Sequence, residues 1–340
     1  MASPPDPDRL PWSPIAGWFP LAWDQPWRRP LRIELWGRPV VVFRDEEGKP
    51  AALEDRCPHR GMPLSSGRCD QGGIRCAYHG WRFDRDGRCV EIPALNRAES
   101  HRRVPRYPVR TGGGLVWIYS QADTEPDEAP PVPHEGGRPL RLEADFEAGV
   151  PLVLENILDV PHTAYVHAGA FRTRRAAPVQ VRLEPHPQGA QARFLDEPRP
   201  NGWLARLLAP QADRVEHVDR YLHPCIAEVE YRLGRHRVVL SSALRPDHPT
   251  RTHLFTTAWI EGPGPWAAAA RLLEPFGRRI LAQDRRILDG LQRNLQHFGA
   301  GRWGSSEADL LGPVILRAWR RAAEGRPRVP VAEREVTLWM

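Results

Sequence analysis

Lysine is almost absent from this sequence, with Lys49 the only one in 340 residues, and the other basic residues are arginines. The formal net charge is +6 at pH 7. The arginines alternate with Asp and Glu and form no basic block of the kind that binds nucleic acid. We attribute the arginine excess to the codon bias of a GC-rich genome and expect no nucleic-acid partner. An arginine face that docks an acidic electron-transfer protein stays open.

Long apolar runs are missing as well. No charge-free apolar run reaches the roughly 20 residues that a membrane-spanning helix needs. Residues 1–12 are rich in proline and lack the basic start and the apolar stretch of a signal peptide. We therefore expect a short disordered arm over residues 1–12 and a cytoplasmic protein without a membrane span.

Cysteine is scarce, and its five residues are an odd number, which argues against a disulfide framework. The chain also lacks the GxGxxG fingerprint of dinucleotide-binding domains, since the glycines at 112–114 have neither that spacing nor a following helix. Four of the cysteines fall within one short stretch; the five are Cys57, Cys69, Cys76, Cys89 and Cys225.

Short apolar segments separated by turns occupy residues 33–119 and predict antiparallel hairpins. The segment Val40–Phe43 is followed by a polar turn and by Ala51–Leu53, and the pair Asp86-Gly87 marks a second hairpin turn. This stretch reads as a small all-β domain.

Residues 121–139 are rich in Pro, Gly and acidic side chains, and we interpret them as an interdomain linker. Beyond the linker, alternating segments at 215–261 predict strands, and the longest helical pattern covers 266–297. The predicted order is an all-β domain at 13–120, the linker, and an α+β domain at 140–340.

Two cysteines and two histidines have the spacing of metal ligands. The pattern is C-x-H at Cys57 and His59, then sixteen residues, then C-x-x-H at Cys76 and His79. Structural zinc accepts two Cys and two His, but zinc fingers pair C-x-x-C with H-x3–5-H. Here each loop supplies one thiolate and one imidazole. That division suits a [2Fe–2S] cluster in which one iron binds both thiolates and the other iron binds both imidazoles.

A second pattern, N-x-x-D-x-x-H-x4-H, comprises Asn156, Asp159, His162 and His167. Two histidines and a carboxylate form the facial triad of non-haem Fe(II) oxygenases. Residues five apart do not share a face of an ideal helix, so both histidines reach one metal only if the helix is interrupted. Pro161 is compatible with such an interruption.

Downstream of this pattern, three residues are candidates for the carboxylate of such a triad: Asp284, Asp289 and Asp309. Asp284 shares the apolar face of a predicted helix with a set of aliphatic residues, whereas Asp289 is predicted on the opposite side, in solvent. A charged residue on an apolar stripe is costly unless it is paired or binds metal, which favours Asp284. The aliphatic set is Ile280, Ile287, Leu288 and Leu291.

The two loops and their hairpins, at about residues 12–120, resemble the Rieske domain shared by oxygenases, ferredoxins and bc-type respiratory proteins. The second pattern resembles the iron-site signature of the Rieske non-haem iron oxygenases. The resemblance implies an α+β fold: an N-terminal all-β Rieske [2Fe–2S] domain, then an α+β helix-grip (START-like) catalytic domain with an antiparallel sheet. Pro58 and Ala77 stand where bc-type proteins carry extra cysteines, so no cross-loop disulfide is expected, and Cys69 and Cys89 are interpreted as small buried residues.

The resemblance also implies roles for the site residues. Cys57, His59, Cys76 and His79 would bind the cluster, and His162, His167 and Asp284 would bind the mononuclear iron. Asp159 would bridge, through hydrogen bonds, to a Rieske histidine of the neighbouring subunit, and Asn156 would lie near the iron without a firm bond. The family has an acidic pair before the third ligand, and here Gln283 replaces its first member.

The implied protein is an oxygenase component that works with a separate NAD(P)H-dependent reductase, directly or through a ferredoxin. Electrons would pass from the cluster to iron across a subunit boundary in a head-to-tail homotrimer. With O2 as co-substrate, the enzyme would hydroxylate, demethylate or desaturate an apolar or aromatic small molecule. The chain length is nearer to the single-subunit monooxygenases, demethylases and desaturases than to ring-dihydroxylating large subunits. Some of four aromatic residues would line the pocket, with core packing expected for most: Phe171, Trp203, Phe255 and Trp259.

Two other interpretations are kept open. One is a pure electron carrier with a decayed second domain, against which the intact D-x-x-H-x4-H pattern argues. The other is a regulatory or structural iron or zinc protein. Metal content distinguishes the three, at about three Fe per chain, about two Fe, and Zn respectively.

Overall fold

The computed structural model describes residues 13–132, 139–172, 177–203, 213–262, 270–299 and 304–340. The predicted arm at 1–12 and residues 133–138 of the predicted linker lie outside these ranges. The chain divides into two compact units. The N-terminal unit comprises Ala16–Val132 with Pro246–His248, and the C-terminal unit comprises the described residues of Met1–Ile15, Pro133–Arg245 and Pro249–Met340.

The N-terminal unit contains three small sheets, with strand orders β1-β11-β10, β2-β3-β4-β9 and β5-β6-β7-β8. Short 3-10 helices cover Leu64–Ser66 and Pro93–Leu95. The strands are β1 (Trp18–Trp23), β2 (Leu31–Leu35), β3 (Arg38–Arg44), β4 (Pro50–Glu54), β5 (Arg68–Asp70), β6 (Gly73–Arg75), β7 (Arg82–Phe83), β8 (Cys89–Glu91), β9 (Arg106–Tyr107), β10 (Val109–Gly112) and β11 (Leu115–Tyr119).

The predicted hairpins of this unit are present. In the first, Val41 faces Leu53 in the antiparallel register of β3 and β4, and Val40–Phe43 is wholly buried. In the second, Gly87 has φ +77°, and a Cβ there would lie 2.0 Å from the backbone oxygen of Val104. Only glycine fits this turn, because it combines a left-handed backbone with a close backbone approach.

The C-terminal unit is built on one eight-stranded antiparallel sheet with the order β12-β18-β17-β16-β15-β14-β13-β19. Its central strands follow one another along the chain, so most pairings are simple hairpins. The strands are β12 (Leu140–Phe146), β13 (Pro178–His186), β14 (Gly189–Pro198), β15 (Arg214–Leu222), β16 (Ile226–Leu233), β17 (His236–His248), β18 (Arg251–Glu261) and β19 (Arg334–Trp339).

Helices pack on this sheet. Within the described residues, the α-helices are α1 (Val150–Leu158), α2 (Thr163–Val166), α3 (Glu274–Phe298) and α4 (Gly312–Ala323), with 3-10 turns at Val160–His162 and Ala270–Leu273. Helix α1 contacts β15, β16, α3 and α4, and α3 lies along β12. The predicted class is confirmed: an all-β unit precedes an α+β unit with an antiparallel sheet. None of the described helices is both long and apolar enough to cross a membrane.

The buried stripe of α3 differs from the predicted apolar face. It runs through Asp284, Leu288, Gln292 and Leu295, whereas Ile287 and Leu291 are 48% and 41% exposed. The stripe is rotated towards Gln292, whose side-chain oxygen accepts a hydrogen bond from the backbone N–H of Gly149 at 3.2 Å.

The same rotation corrects the prediction for Asp289, which does not lie free in solvent. It is half-buried, and its carboxylate accepts the backbone N–H of Glu147 at 2.9 Å. Asp289 therefore ties α3 to the chain between β12 and α1.

Candidate metal centres and cavity

Two loops of the N-terminal unit share one backbone pattern. In the first, the amide of Cys57 donates to the carbonyl of Met62 at 2.9 Å, and Gly61 donates back to Cys57 at 2.8 Å. In the second, Cys76 donates to Trp81 at 2.8 Å, and Gly80 donates back at 3.2 Å. Both glycines have left-handed φ values, +75° and +72°, so the two tight turns need glycine.

The loops bring the four predicted cluster side chains together in pairs. The thiols of Cys57 and Cys76 are both buried, and Cys76 is near enough to raise the pKa of Cys57. The rings of His59 and His79 have centroids 4.4 Å apart, and Trp81 stacks on His59 at 4.7 Å. Thiols on the inside and imidazoles towards the surface give the split donor set that a [2Fe–2S] cluster with mixed ligation requires.

The donor atoms of this group fit a bound cluster. Nδ1 of His59 is buried and has no hydrogen-bond partner, which is costly for a ring nitrogen unless it binds metal. Burial raises the pKa of Cys57 to about 11, with a further rise from Cys76, while the backbone N–H groups of His59 and Arg60 lower it. Those N–H groups would stabilise the thiolate form that binds iron.

Charged side chains that the sequence analysis missed hold each loop. Arg75 donates to the carbonyl of Gly80 at 2.7 Å and to Glu91 at 2.8 Å. On the other loop, the buried Asp55 accepts the backbone N–H and the hydroxyl of Ser65, each at 2.7 Å. Their only sequence signal is proximity to the cysteines, which is too weak to single them out.

In the C-terminal unit, His162, His167 and Asp284 converge, with one ligand atom of each within 4.8 Å of the others. The Nε2 atoms of the histidines are 3.4 Å apart, and Oδ1 of Asp284 lies 3.0 Å from Nε2 of His167 and 3.6 Å from Nε2 of His162. Helix α1 ends at Leu158 and gives way to a 3-10 turn and the short α2. This interruption lets two histidines five residues apart face one point.

The hydrogen bonds of both rings turn lone pairs towards that point. Nδ1 of His162 donates to the carbonyl of Asp159, and Nδ1 of His167 donates to the side-chain oxygen of Gln283 at 2.9 Å. Each Nε2 is then an acceptor, and Oδ1 of Asp284 is buried without a hydrogen-bond partner. Three acceptors that face one another repel unless a cation lies between them, so the donor set fits a metal ion.

In the protein without a metal, the pKa values of these residues also show that the site favours a positive charge beside the Asp284 carboxylate. Burial by itself would lower the pKa of His162, but the negative charges of Asp284 and Asp159 outweigh it and raise that pKa. Burial would likewise raise the pKa of Asp284, and His162 and His167 outweigh it and lower the pKa. The carboxylate is thus held ionised, as a metal ligand must be.

The other two carboxylate candidates lie elsewhere. Asp289 is bound to the backbone at Glu147, and Asp309 accepts the backbone N–H of Ser306 at 2.6 Å. Asp309 lines a depression of about 210 Å³, together with Asn156, Asp159 and His162.

Glu155 also lines this depression, and burial together with Asp159 and Asp309 raises its pKa to about 7. The side chain of Asp159 is 40% exposed, and its carboxylate lies 3.9 Å from Nδ1 of His162. The predicted bridge residue is therefore accessible from outside this unit and adjacent to a predicted iron ligand.

All three converging side chains line a cavity of about 270 Å³. Of the aromatic residues considered for it, Phe171 lines the cavity, Trp203 is 45% exposed, and Phe255 and Trp259 are buried in the core. Most of the other lining residues are aliphatic, among them Leu140, Leu142, Ile157, Val229, Leu240, Leu254, Ile260, Leu273, Ile280 and Leu281.

In comparisons with known proteins, each of the two units matches a protein-family model. The family model described as the Rieske [2Fe-2S] domain matches residues 20–108. The model described as the vanillate O-demethylase oxygenase C-terminal domain matches residues 146–324, just over half of the chain. Each predicted cluster ligand lies in the first match, and each predicted iron ligand lies in the second.

Among curated proteins, 4beta-methylsterol monooxygenase of Methylococcus capsulatus is 39% identical over 153 residues, which are 41% of this chain and 40% of that protein. Chlorophyllide a oxygenase of Arabidopsis thaliana is 25% identical over 319 residues, 92% of this chain and 58% of that protein. Both matches span less than two thirds of the relatives' own length. A solved structure of dicamba monooxygenase bound to 3,6 dichlorosalicylic acid has the same fold, with a TM-score of 0.75, 20% identity, and coverage of 91% of this chain and 97% of that one.

Proposed function

The chain belongs to the Rieske non-haem iron oxygenases, and on that premise we propose that it is an oxygenase component that oxidises an apolar or aromatic small molecule with O2. The observation that carries this proposal is the position of His162, His167 and Asp284, which line a largely aliphatic cavity and have ligand atoms within 4.8 Å of one another. A pure electron carrier would need neither the second set of ligands nor the cavity.

Seven side chains would hold the metals. Cys57, His59, Cys76 and His79 would bind the [2Fe–2S] cluster, and His162, His167 and Asp284 would bind Fe(II). When bound, the cluster supplies single electrons and the iron supplies O2 activation. The carbonyl of Asp159 and the side-chain oxygen of Gln283 each accept from an Nδ1–H group, which holds the imidazoles in the tautomer that leaves Nε2 free. The aliphatic wall would exclude water and orient an apolar substrate.

Asp159 would connect the two centres across a subunit boundary. Its carboxylate is partly exposed and lies next to His162. It can accept a hydrogen bond from a histidine of another subunit while it keeps its contact with His162. A head-to-tail ring, a homotrimer in this proposal, places the cluster of one subunit beside the iron of the next. A separate reductase, directly or through a ferredoxin, would supply electrons from NAD(P)H.

The test combines metal analysis with turnover. The purified protein should hold about three Fe per chain, show a Rieske electron paramagnetic resonance signal, and consume NADH and O2 together with one member of a panel of apolar aromatic compounds when a surrogate reductase is added. The Asp284→Ala variant should keep the signal and lose the substrate-dependent consumption. A wild-type protein with about two Fe and no substrate-dependent consumption would indicate an electron carrier instead, and zinc would exclude both.

A further inference from the structure

A buried network of charged side chains lies in the wall of the cavity, apart from the predicted iron ligands. It comprises Arg172, which follows α2, Glu197 on β14, and His217 and Asp219 on β15. All four are buried, and three of them, Arg172, His217 and Asp219, line the cavity. Four charged groups in an aliphatic wall are costly to bury unless each is paired.

The pairing of this network is nearly complete. One oxygen of Glu197 accepts from Arg172 and the other from Nδ1 of His217 at 2.8 Å. Nε2 of His217 donates to Oδ1 of Asp219 at 2.9 Å. Phe194 and Tyr231 stack on the two faces of the His217 ring, each with centroids 4.0 Å apart. The imidazole is therefore fixed in orientation and donates from both nitrogens.

A β-bulge makes this arrangement possible. Phe194 on β14 pairs with His217 on β15, and strict alternation would turn Glu197 to the opposite face. The register shifts between Phe194 and Glu197, where Asp196 has φ +52°. The extra residue returns Glu197 to the face of Phe194, beside the imidazole.

The charges of the network cancel. Burial alone would lower the pKa of His217, but Asp219 and Glu197 outweigh it and raise the pKa to about 9, so the imidazole is positive at neutral pH. Two positive groups, Arg172 and His217, then balance two carboxylates.

One oxygen of the network has no partner. Oδ2 of Asp219 is buried and accepts no hydrogen bond from the described residues. Among the described residues that line the cavity, only Asp219 and Asp284 have a buried side-chain atom without a partner. The hydroxyls of Ser242 and Thr256, which also line it, bond to each other at 2.8 Å. The oxygen of Asp284 points to the proposed iron, which leaves that of Asp219 to be explained.

We propose that Asp219 is a substrate-binding residue whose free oxygen accepts a hydrogen bond from a neutral donor, a hydroxyl or an N–H, on an otherwise apolar substrate. The inference rests on the proposed oxygenase function and narrows its substrate class. Such a site would exclude an acidic substrate, because the substrate carboxylate would face the carboxylate of Asp219. It would also exclude a cationic substrate, because the network is already neutral and a cation would leave one uncompensated buried charge.

The test measures binding without turnover, on the full iron-loaded chain by calorimetry. The probes are 2-naphthol, 4-phenylphenol and indole, each paired with its O- or N-methyl counterpart, which keeps the ring and removes the donor. For at least one pair, the donor compound should bind about 10- to 100-fold more tightly, as expected for a hydrogen bond to a charged acceptor. If every methylated compound equals its partner in the wild-type protein, Asp219 is not the anchor.

The Asp219→Asn variant makes the test specific. The asparagine oxygen can still accept from His217, which turns its amide N–H groups towards the cavity. Binding of the donor compound should weaken and the ether should gain, so that the preference falls to parity or reverses. Ser242→Ala, at a cavity residue with a paired hydroxyl, should keep the wild-type preference. A purely structural Asp219 would weaken both members of a pair by the same factor, and that result overturns the proposal.

This outcome is independent of the proposed activity. Loss of NADH-coupled turnover or of metal would count against the oxygenase, while the paired affinities would still report on Asp219.

Discussion

Gln283 accepts a hydrogen bond from Nδ1 of His167 at 2.9 Å, across 116 residues of sequence. An amide here replaces the first acid of the pair that the family resemblance implies. The oxygen does what a carboxylate would do, because it fixes the imidazole tautomer and directs Nε2 towards Asp284. It does so without adding a second negative charge beside the proposed metal ligands.

The first prediction follows from this contact. Gln283→Leu removes the acceptor and should weaken Fe(II) binding about 10- to 100-fold, the usual loss for a partner of a metal-bound imidazole. Gln283→Glu restores an acceptor and should bind at least as tightly as the wild type. Iron retained during titration with a chelator measures both. Equal retention by the leucine variant and the wild type would show that the contact does not matter.

The second prediction separates Asp284 from Asp289. Asp284→Asn should lose the mononuclear iron and keep the cluster, leaving about two Fe per chain. Asp289→Asn should keep all the iron and lose about 1 kcal/mol of unfolding free energy at most, because it only weakens the bond to the backbone of Glu147. Metal analysis and denaturant titration read the two effects. An Asp284→Asn protein with full iron would rule out this ligand.

The third prediction compares two cysteines of the N-terminal unit. Cys57→Ser should abolish the Rieske electron paramagnetic resonance signal, because the thiolate of a cluster ligand is lost. Cys69→Ser should retain it, since Cys69 is a half-buried packing residue on β5. Survival of the signal in the Cys57 variant would falsify the cluster assignment.

The fourth prediction concerns Asp159. Asp159→Asn should keep the cluster and the iron, since three ligands are present without it, but oxidise substrate at least about tenfold more slowly. The measurement is a single turnover from pre-reduced protein, in which cluster re-oxidation is followed after O2 and substrate are added. Re-oxidation at the wild-type rate would mean that electrons take another route. Metal analysis of the same sample is the control for iron loss.

The fifth prediction is a pH dependence of stability. The pKa of His217 is about 9 in the folded protein, above its ordinary 6.5, so protonation stabilises the fold. This contribution is complete below pH 6.5 and is lost as the pH rises through 9. It amounts to roughly 3 kcal/mol at about 1.36 kcal/mol for each tenfold change.

Denaturant titrations at pH 6.5, 8 and 9.5 measure this effect. The unfolding free energy should fall across the series in the wild type and in His297→Gln, a control at an exposed histidine. His217→Gln should be less stable at pH 6.5 and show a much flatter profile. Parallel profiles for the wild type and His217→Gln would exclude His217 as the titrating group.

The sequence alone determined the parts of this protein that depend on short-range spacing. The two loops carry their donors within a few residues, and Gly61 and Gly80 close them by local hydrogen bonds. The hairpin turns, the order of the two folds and the pairing of His162 with His167 are local in the same sense. A turn or an interrupted helix is decided by a handful of neighbouring residues, so its chemistry can be read from the chain.

The tertiary structure decided what joins distant segments. The apolar pattern of α3 suggested that Asp289 was in solvent, but the packed helix has Gln292 hydrogen-bonded to Gly149 and the half-buried Asp289 hydrogen-bonded to Glu147. Gln283 gained its role only when α3 came beside His167. A helical or alternating pattern reports which face is apolar, and it carries no information on which polar atoms of another segment that face will meet.

The network around His217 is the clearest case of this limit. Alternation along β14 places Glu197 on the wrong face, and a bulge at Asp196 reverses it. Phe194 and Tyr231 stack on an imidazole whose contacts lie on β14, β15 and β16. Arg172 binds Glu197 from a further segment. The hydrogen bond from His217 goes to Oδ1 of Asp219, and Oδ2 of the same carboxylate has no partner among the described residues. This feature depends on the tertiary structure, because an oxygen without a partner costs free energy only when it is buried, and the residue type alone does not show burial.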